Sequence, residues 1–313
     1  MFFHQLVFCS KITTHSQEIN SICFASQKKL LASASKDKTI RIWNLKAENI
    51  VNTIVFESDY ANSVAFNSDN TILVSGEKDS TIKIWSLQDR KLIYTLKGHK
   101  KTVNSVTIHP KGKLLASASE DKTVKLWSLE SRQQVCTLTG HQDNVMATLF
   151  SPNGDILASS GDGNDKTVEL WFLSENRNVT LKGHSDWFGG IYSVAFSPDS
   201  KLIASGSKDK TIKIWQVNTG LEIKTLTGHN DYVTSVAISP DGKILASGSK
   251  DKTLKIWKLA TGELISTINC DAPIKTVAFS PNNKILATGC EQGKISLYNP
   301  KLESSNLLQD LLT

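Results

Sequence analysis

Long apolar runs, helical periodicity, paired cysteines and blocks of like charge are all missing from this sequence. No stretch approaches the roughly 18 apolar residues that a membrane-spanning helix needs, so no membrane span is expected. The opening Met1-Phe2-Phe3-His4-Gln5-Leu6-Val7-Phe8-Cys9 is apolar enough to suggest a signal peptide. It lacks a basic leading segment, however, and His4-Gln5 interrupt it, so a β-strand is expected there instead. Five cysteines over 313 residues, none in a Cys-x-x-Cys pair, do not make a disulfide framework, and a reducing cytoplasm is the expected location. The net charge of +6 is spread along the chain, with no five like charges in a row, so it hints only weakly at an acidic partner. No Gly-x-x-x-x-Gly-Lys-Ser/Thr, dinucleotide fingerprint or His-Glu-x-x-His occurs, and neither a cofactor nor a metal is expected. The stretch Gly161-Asp162-Gly163-Asn164-Asp165 faintly imitates a calcium loop. Without the twelve-residue layout or terminal Glu, it is read as a lengthened turn.

Repetition is what the sequence has in abundance. Tryptophans stand at 43, 85, 127, 171, 215 and 257, each after Ile or Leu, and Tyr298 follows in the same phase; the intervals are 42, 42, 44, 44, 42 and 41 residues. The flanking text repeats as LASASKDKTIRIW (31–43), LASASEDKTVKLW (115–127), IASGSKDKTIKIW (203–215) and LASGSKDKTLKIW (245–257). A period of about 40–45 residues divided into short strands marks the blades of a propeller. In the third copy, TVNSVTI (102–108) and LLASA (114–118) are β-branched or apolar and are joined by His109-Pro110-Lys111-Gly112-Lys113, which is turn chemistry. After the tight turn Glu120-Asp121-Lys122 come TVKLWSL (123–129) and QQVCTL (133–138).

These observations predict an all-β, seven-bladed β-propeller of four-stranded antiparallel blades over residues 4–299, followed by a short tail, 300–313. The chain starts with one strand, roughly 5–12, that has no blade of its own before it, and the last copy stops after its third strand, 294–299. The N-terminal strand is therefore expected to complete the seventh blade and latch the ring, removing two exposed sheet edges. In the tail, Ser304 or Ser305 is placed to cap a short helix carrying Leu307, Leu308, Leu311 and Leu312 on one side.

Over about residues 4–299 the chain resembles the WD-repeat family. The family's Gly-His pair is present as Gly98-His99, Gly140-His141, Gly183-His184 and Gly228-His229, with Thr14-His15 in the first copy. The Asp of the Trp-Asp pair is replaced throughout, by Asn44, Ser86, Ser128, Phe172, Gln216 and Lys258. In overall style the repeats and tail are also similar to the C-terminal sensor half of bacterial signalling ATPases. That resemblance implies a stand-alone relative or a separated sensor half, with an ATPase module on a separate chain as a partner.

Five copies hold a His, Ser, Asp and Trp in register: His15, Ser33, Asp37, Trp43; His99, Ser117, Asp121, Trp127; His141, Ser159, Asp165, Trp171; His184, Ser205, Asp209, Trp215; and His229, Ser247, Asp251, Trp257. Out of context, Ser with His and Asp suggests a hydrolase. An enzyme needs one such set beside a pocket, whereas a scaffold needs one in every blade, and no catalytic residue is assigned. The family resemblance implies a hydrogen-bonded chain from loop histidine through serine to indole, with Asp bracing the turn. Two copies depart and are expected to be the least rigid. In the second, Glu57 falls at the histidine position while Ser75, Asp79 and Trp85 remain; in the seventh, Cys270, Thr288, Gln292 and Tyr298 replace all four. Cys270 and Cys290 should both lie near the top of the seventh blade, without further ligands at metal spacing.

The resemblance implies a non-catalytic scaffold or ligand sensor that binds peptides or protein surfaces on the face where the histidine loops meet the second-to-third-strand turns. The alternative is anion or nucleic-acid binding through turn lysines, among them Lys38, Lys122, Lys210 and Lys252; nucleic acid is the less expected partner. Two neighbouring copies carry insertions toward that face: the 161–165 turn, and the loop Ser185-Asp186-Trp187-Phe188-Gly189-Gly190-Ile191-Tyr192. Trp187 and Phe188, with Tyr192, Tyr60 and Tyr232, are the candidate partner-contacting aromatics, since exposed loop aromatics are over-represented at binding hot spots; the alternative is that Trp187 folds down to plug the central channel or pack on a neighbouring blade.

Overall fold

The computed structural model describes residues 7–13, 15–26, 29–47, 49–57, 59–175, 177–184 and 190–300. Its strands, β1 to β28 in chain order, form seven separate four-stranded sheets. Blade one is β2 (Ile19–Phe24), β3 (Leu30–Ser35), β4 (Thr39–Asn44) and β5 (Asn49–Val55), in sequence order from the central channel outward. Blades two to six repeat that order. Blade seven is β26 (Ile274–Phe279), β27 (Leu286–Cys290), β28 (Lys294–Asn299) and, outermost, β1 (Val7–Thr13). The predicted latch is therefore present, seen over Val7–Thr13 among the described residues where 5–12 was expected. Its antiparallel register runs from Val7 opposite Asn299 to Thr13 opposite Lys294. The proposed tail helix lies outside the described residues.

Each blade buries both faces against its neighbours, which explains why the strands lack clean alternation: LLASAS (114–119) is buried at every position but its first. The core is consequently a set of layers between blades. One layer joins Ile212, Ile214 and Leu226 of blade five to Val233, Leu245 and Trp257 of blade six. The closing layer joins Ile295 and Leu297 of blade seven to Ile19, Leu31 and Trp43 of blade one. Close approach demands small residues on the second strand: a Cβ on Gly248 would stand 2.4 Å from the Ile274 side chain.

All seven innermost strands carry a β-bulge at one equivalent position. The skipped residues are Asn20, Asn62, Asn104, Met146, Tyr192, Thr234 and Lys275, and all seven line the central channel. A bulge re-aims its side chain and ends regular pairing. Here it stitches blades together: Asn20, Asn62 and Asn104 donate through Nδ2 to the carbonyls of Ala61, Val103 and Val145, at 3.2, 3.1 and 3.0 Å. One residue further on, the hydroxyls of Ser21, Ser63, Ser105, Ser193 and Ser235 accept from backbone amides of the next blade at 3.0–3.3 Å.

Candidate functional site

The second strand of each complete blade places its serine opposite the third strand, ten to twelve residues before the tryptophan, and the loop histidine descends beside it. In blade three, Trp127 Nε1 donates to Ser117 Oγ at 2.8 Å, His99 Nε2 lies 2.7 Å from that oxygen, and His99 Nδ1 lies 2.8 Å from Asp121 Oδ2. With Nδ1 protonated toward the carboxylate, Nε2 accepts the serine proton and every group in the chain has a donor or acceptor to match. The other four sets repeat the geometry. His15, His141, His184 and His229 stand 2.8, 2.7, 2.8 and 2.7 Å from Ser33, Ser159, Ser205 and Ser247. Their Nδ1 atoms lie 2.8, 3.0, 2.7 and 2.8 Å from Asp37, Asp165, Asp209 and Asp251. Trp43, Trp171, Trp215 and Trp257 donate to the same serines at 3.0, 2.9, 2.9 and 2.9 Å.

A fifth member escaped the sequence reading. The threonine two residues after each aspartate donates to its second carboxylate oxygen, as Thr123 Oγ1 does to Asp121 Oδ1 at 2.6 Å. Thr39, Thr167, Thr211 and Thr253 do the same. The repeated Asp-Lys-Thr text was the available signal. Between them, Lys38, Lys122, Lys210 and Lys252 adopt left-handed backbone, with φ of 64°, 69°, 69° and 64°. Their repeated place in the turn is thus a backbone requirement that Gly293 meets in blade seven, also at positive φ.

Chemically this site is closed. Ser33, Ser117, Ser159, Ser205 and Ser247 are all 0% exposed, and each Oγ is held by an indole N–H. Burial pulls His15, His99 and His229 below the usual imidazole value despite their aspartates. Burial would push Asp121 up, but the bonds from Thr123, the Lys100 amide and His99 hold it at about 2. Both shifts act in one direction on stability. Each group is neutral histidine or ionised aspartate in the folded state, so the stability they supply is present above the unfolded-state values, near 6.5 and near 3.8, and is lost as pH falls from each of these through the lower folded-state value, about 2 for Asp121. His99→Ala should cost about 1–3 kcal/mol in a denaturant melt, by leaving Ser117 and Asp121 partly unpaired. Equivalent changes in the other complete blades should cost about as much. A hydrolytic activity abolished by one histidine alone, at unchanged stability, would contradict this structural role.

Blade two fills the histidine position in its own way. Glu57 is exposed and does not act in the histidine's place. Glu77, wholly buried two residues beyond Ser75, turns its carboxyl into the gap and accepts the Ser75 hydroxyl at 2.5 Å, while Trp85 donates to Ser75 at 2.9 Å. Phe56 packs edge-on against Trp85 with ring centroids 5.8 Å apart. Residues i and i+2 of a strand share a face, so a glutamate in a column that holds Ser35, Ser119, Ser207 and Ser249, with Gly161 and Cys290 in the other two blades, was the legible signal.

At the mouth of the channel, tyrosines and lysines meet. Lys208 lies over Tyr192 and Lys250 over Tyr232, 5.2 and 5.1 Å from the ring centroids, and the two rings are 6.3 Å apart. Tyr60 is paired with Lys78 at 5.2 Å. Lys208 also contacts Asp162 at 2.8 Å and donates its amide to the Gly190 carbonyl at 2.9 Å, so the two inserted segments converge there. Trp187 and Phe188 lie outside the described residues. Of the expected basic rim, Lys38, Lys122, Lys210 and Lys252 are all exposed, and Lys122 donates to the Gln142 carbonyl of the next blade at 2.8 Å. Lys36 and Lys275 both contact Glu18, at 2.9 and 3.2 Å. The face is mixed in charge rather than uniformly basic.

The family described as "WDR3 second beta-propeller domain" matches residues 18–303. The chain belongs to the WD40 β-propeller family. Relatives include nuclear distribution protein nudF 1 of Talaromyces marneffei, 36% identical over 72 residues, covering 22% of this chain and 15% of the relative. Nuclear distribution protein PAC1 of Fusarium vanettenii is 38% identical over 80 residues, covering 22% and 17%. Its namesake in Candida albicans is 38% identical over 71 residues, covering 21% and 13%. The matched stretch is thus under a fifth of the length of these curated relatives. No helix among the described residues of this WD40 chain is long and apolar enough to cross a membrane.

Proposed function

We propose that the propeller is a non-catalytic interaction module that holds a peptide or protein surface on the face carrying the histidine loops. The observation that carries this reading is the pair of tyrosine–lysine stacks at the channel mouth, Tyr192 with Lys208 and Tyr232 with Lys250. Half-buried aromatics with adjacent cations offer apolar area and charge at little entropic cost, the combination found at hot spots. The closed serine–histidine sets support a role without catalysis, because no substrate atom can reach a serine that is fully buried under an indole. Nucleic-acid binding has less support, since Lys36, Lys208 and Lys275 already face carboxylates. A cytoplasmic setting and an ATPase module on another chain as partner belong to the same proposal, on the strength of composition and of the sensor-half resemblance. Trp187 and Phe188 belong to the same proposal as candidate contacts, on the strength of their place in the lengthened loop of the sequence.

Affinity capture from the native cell tests it. Tyr192→Ser with Tyr232→Ser, and separately Trp187→Ser with Phe188→Ser, should each deplete the partners recovered by the unaltered chain while leaving the melting temperature in place. Recovery that is unchanged in both variants overturns the proposal. Should nucleic acid be recovered instead, log affinity against log salt should fall with a slope of about −0.9 per phosphate neutralised; a flat titration removes that alternative.

A further inference from the structure

Two blades lack the loop histidine, and they differ in what fills the space. Blade two fills it with its own Glu77. Blade seven leaves it open. There, Cys270, Thr288 and Tyr298 occupy the positions of a histidine, serine and tryptophan with the spacing of blade six. Thr288 pairs with Ser296 and Leu286 with Tyr298, as Ser247 pairs with Lys255 and Leu245 with Trp257. The backbone frame is therefore the same, while a thiol replaces an imidazole and a phenol replaces an indole. At the position of Glu77 stands Cys290, whose side chain is too short to cross the gap. The outcome is a cavity of about 250 Å³ lined by Ile268, Cys270, Thr288, Cys290, Ser296 and Tyr298. At roughly 30 Å³ per water, that is room for about eight waters.

We propose that this cavity is a binding site for a small neutral nitrogen heterocycle, from imidazole to a fused bicyclic ring in size. The warrant is the way the five complete blades fill the same place. There, an sp² ring nitrogen sits 2.7–2.8 Å from the hydroxyl on the second strand, and an aromatic system lies beyond it. In blade seven the hydroxyl persists as Thr288, which is 3% exposed, and the Tyr298 phenol lies 3.8 Å from Cys270 Sγ. Thr288 and Ser296 hydroxyls also interact with that phenol. Burial raises both Cys270 and Tyr298, so the inner wall stays uncharged at neutral pH and offers O–H and S–H groups to a ring nitrogen. The charged lining residues, Asp271 and Lys294, are exposed and half-buried respectively, so the buried part of the cavity offers a charged ligand no counter-ion for its lost hydration. Apolar Ile268, Ala272 and Ile274 line it for the ring edge, with Asn269 also in the lining. The cavity is distinct from the channel mouth and does not depend on the interaction proposed there.

Imidazole and benzimidazole are suitable probes. Both should bind the full chain saturably in ligand-observed NMR or calorimetry, benzimidazole more tightly, and should slow alkylation of Cys270 by iodoacetamide. Cys270→His refills the space from within and should weaken benzimidazole at least tenfold; Cys270→Leu, which fills it without a nitrogen, should do the same. If one variant fails to fold, the other still decides. Absence of saturable binding by either probe, or undiminished binding in a folded refilled variant, overturns the proposal.

Discussion

Deleting residues 1–12 should remove most of the stability of the propeller. Strand β1 contributes the outer ladder of blade seven along Val7–Thr13 and runs directly on into the histidine loop of blade one, where the His15 amide donates to the Gly293 carbonyl at 3.0 Å. Without it, β28 becomes an unpaired edge, and blades one and seven are held mainly by side-chain contacts such as Ile19, Leu31 and Trp43 against Ile295 and Leu297. Each ladder hydrogen bond contributes about 0.5–1.5 kcal/mol net, so losing the strand costs on the order of 5 kcal/mol. A domain of ordinary stability has only about 5–15 kcal/mol in total. The exposed edge also templates pairing between chains. The expected result is a large fall in melting temperature with aggregation on size exclusion. A truncated chain that stays monomeric with an unaltered melt would show that side-chain packing alone closes the ring.

The architecture could be read from sequence because each blade is written out anew, and because turns such as His109–Lys113 and Glu120–Lys122 carry local chemistry. Closure was legible as arithmetic: a spare strand at one end and a missing one at the other. The channel ring was not, because the bulges that expose Asn20, Tyr192 and Lys275 occur at ordinary residues with no glycine to mark them. Substitution of the whole set in blade seven was visible in the text, but a void exists only once the strands fix where the shorter side chains end. Column alignment places Glu57 at the histidine position of blade two. What decides there is reach along a strand face, which brings Glu77 to Ser75.

Glu77 should make the stability of the protein fall as pH rises from 4.5 to about 7. Burial pushes its carboxyl up to about 7, against the opposing pull of the Ser75 hydroxyl and Lys83, with Asp79 and Asp59 adding to the rise. One carboxylate oxygen, Oε2, has no hydrogen-bond partner. For this group the folded state holds the proton more tightly than the unfolded chain, whose value is near 4.5. Below that pH both states are protonated and nothing is lost. Between 4.5 and about 7 only the unfolded chain ionises, so stability declines; above about 7 the deficit is constant. At 1.36 kcal/mol per pH unit the full deficit is about 3 kcal/mol. Glu77→Gln keeps an oxygen for the Ser75 hydroxyl and cannot ionise. It should match the unaltered protein near pH 4.5 and exceed it by about 3 kcal/mol at pH 8.5. Acid loss through the histidine–aspartate pairs is common to both chains and cancels in the difference between them. Denaturant melts of the two proteins across that range measure it directly. A difference that does not change with pH would mean that Glu77 ionises in the folded protein as readily as in the unfolded chain.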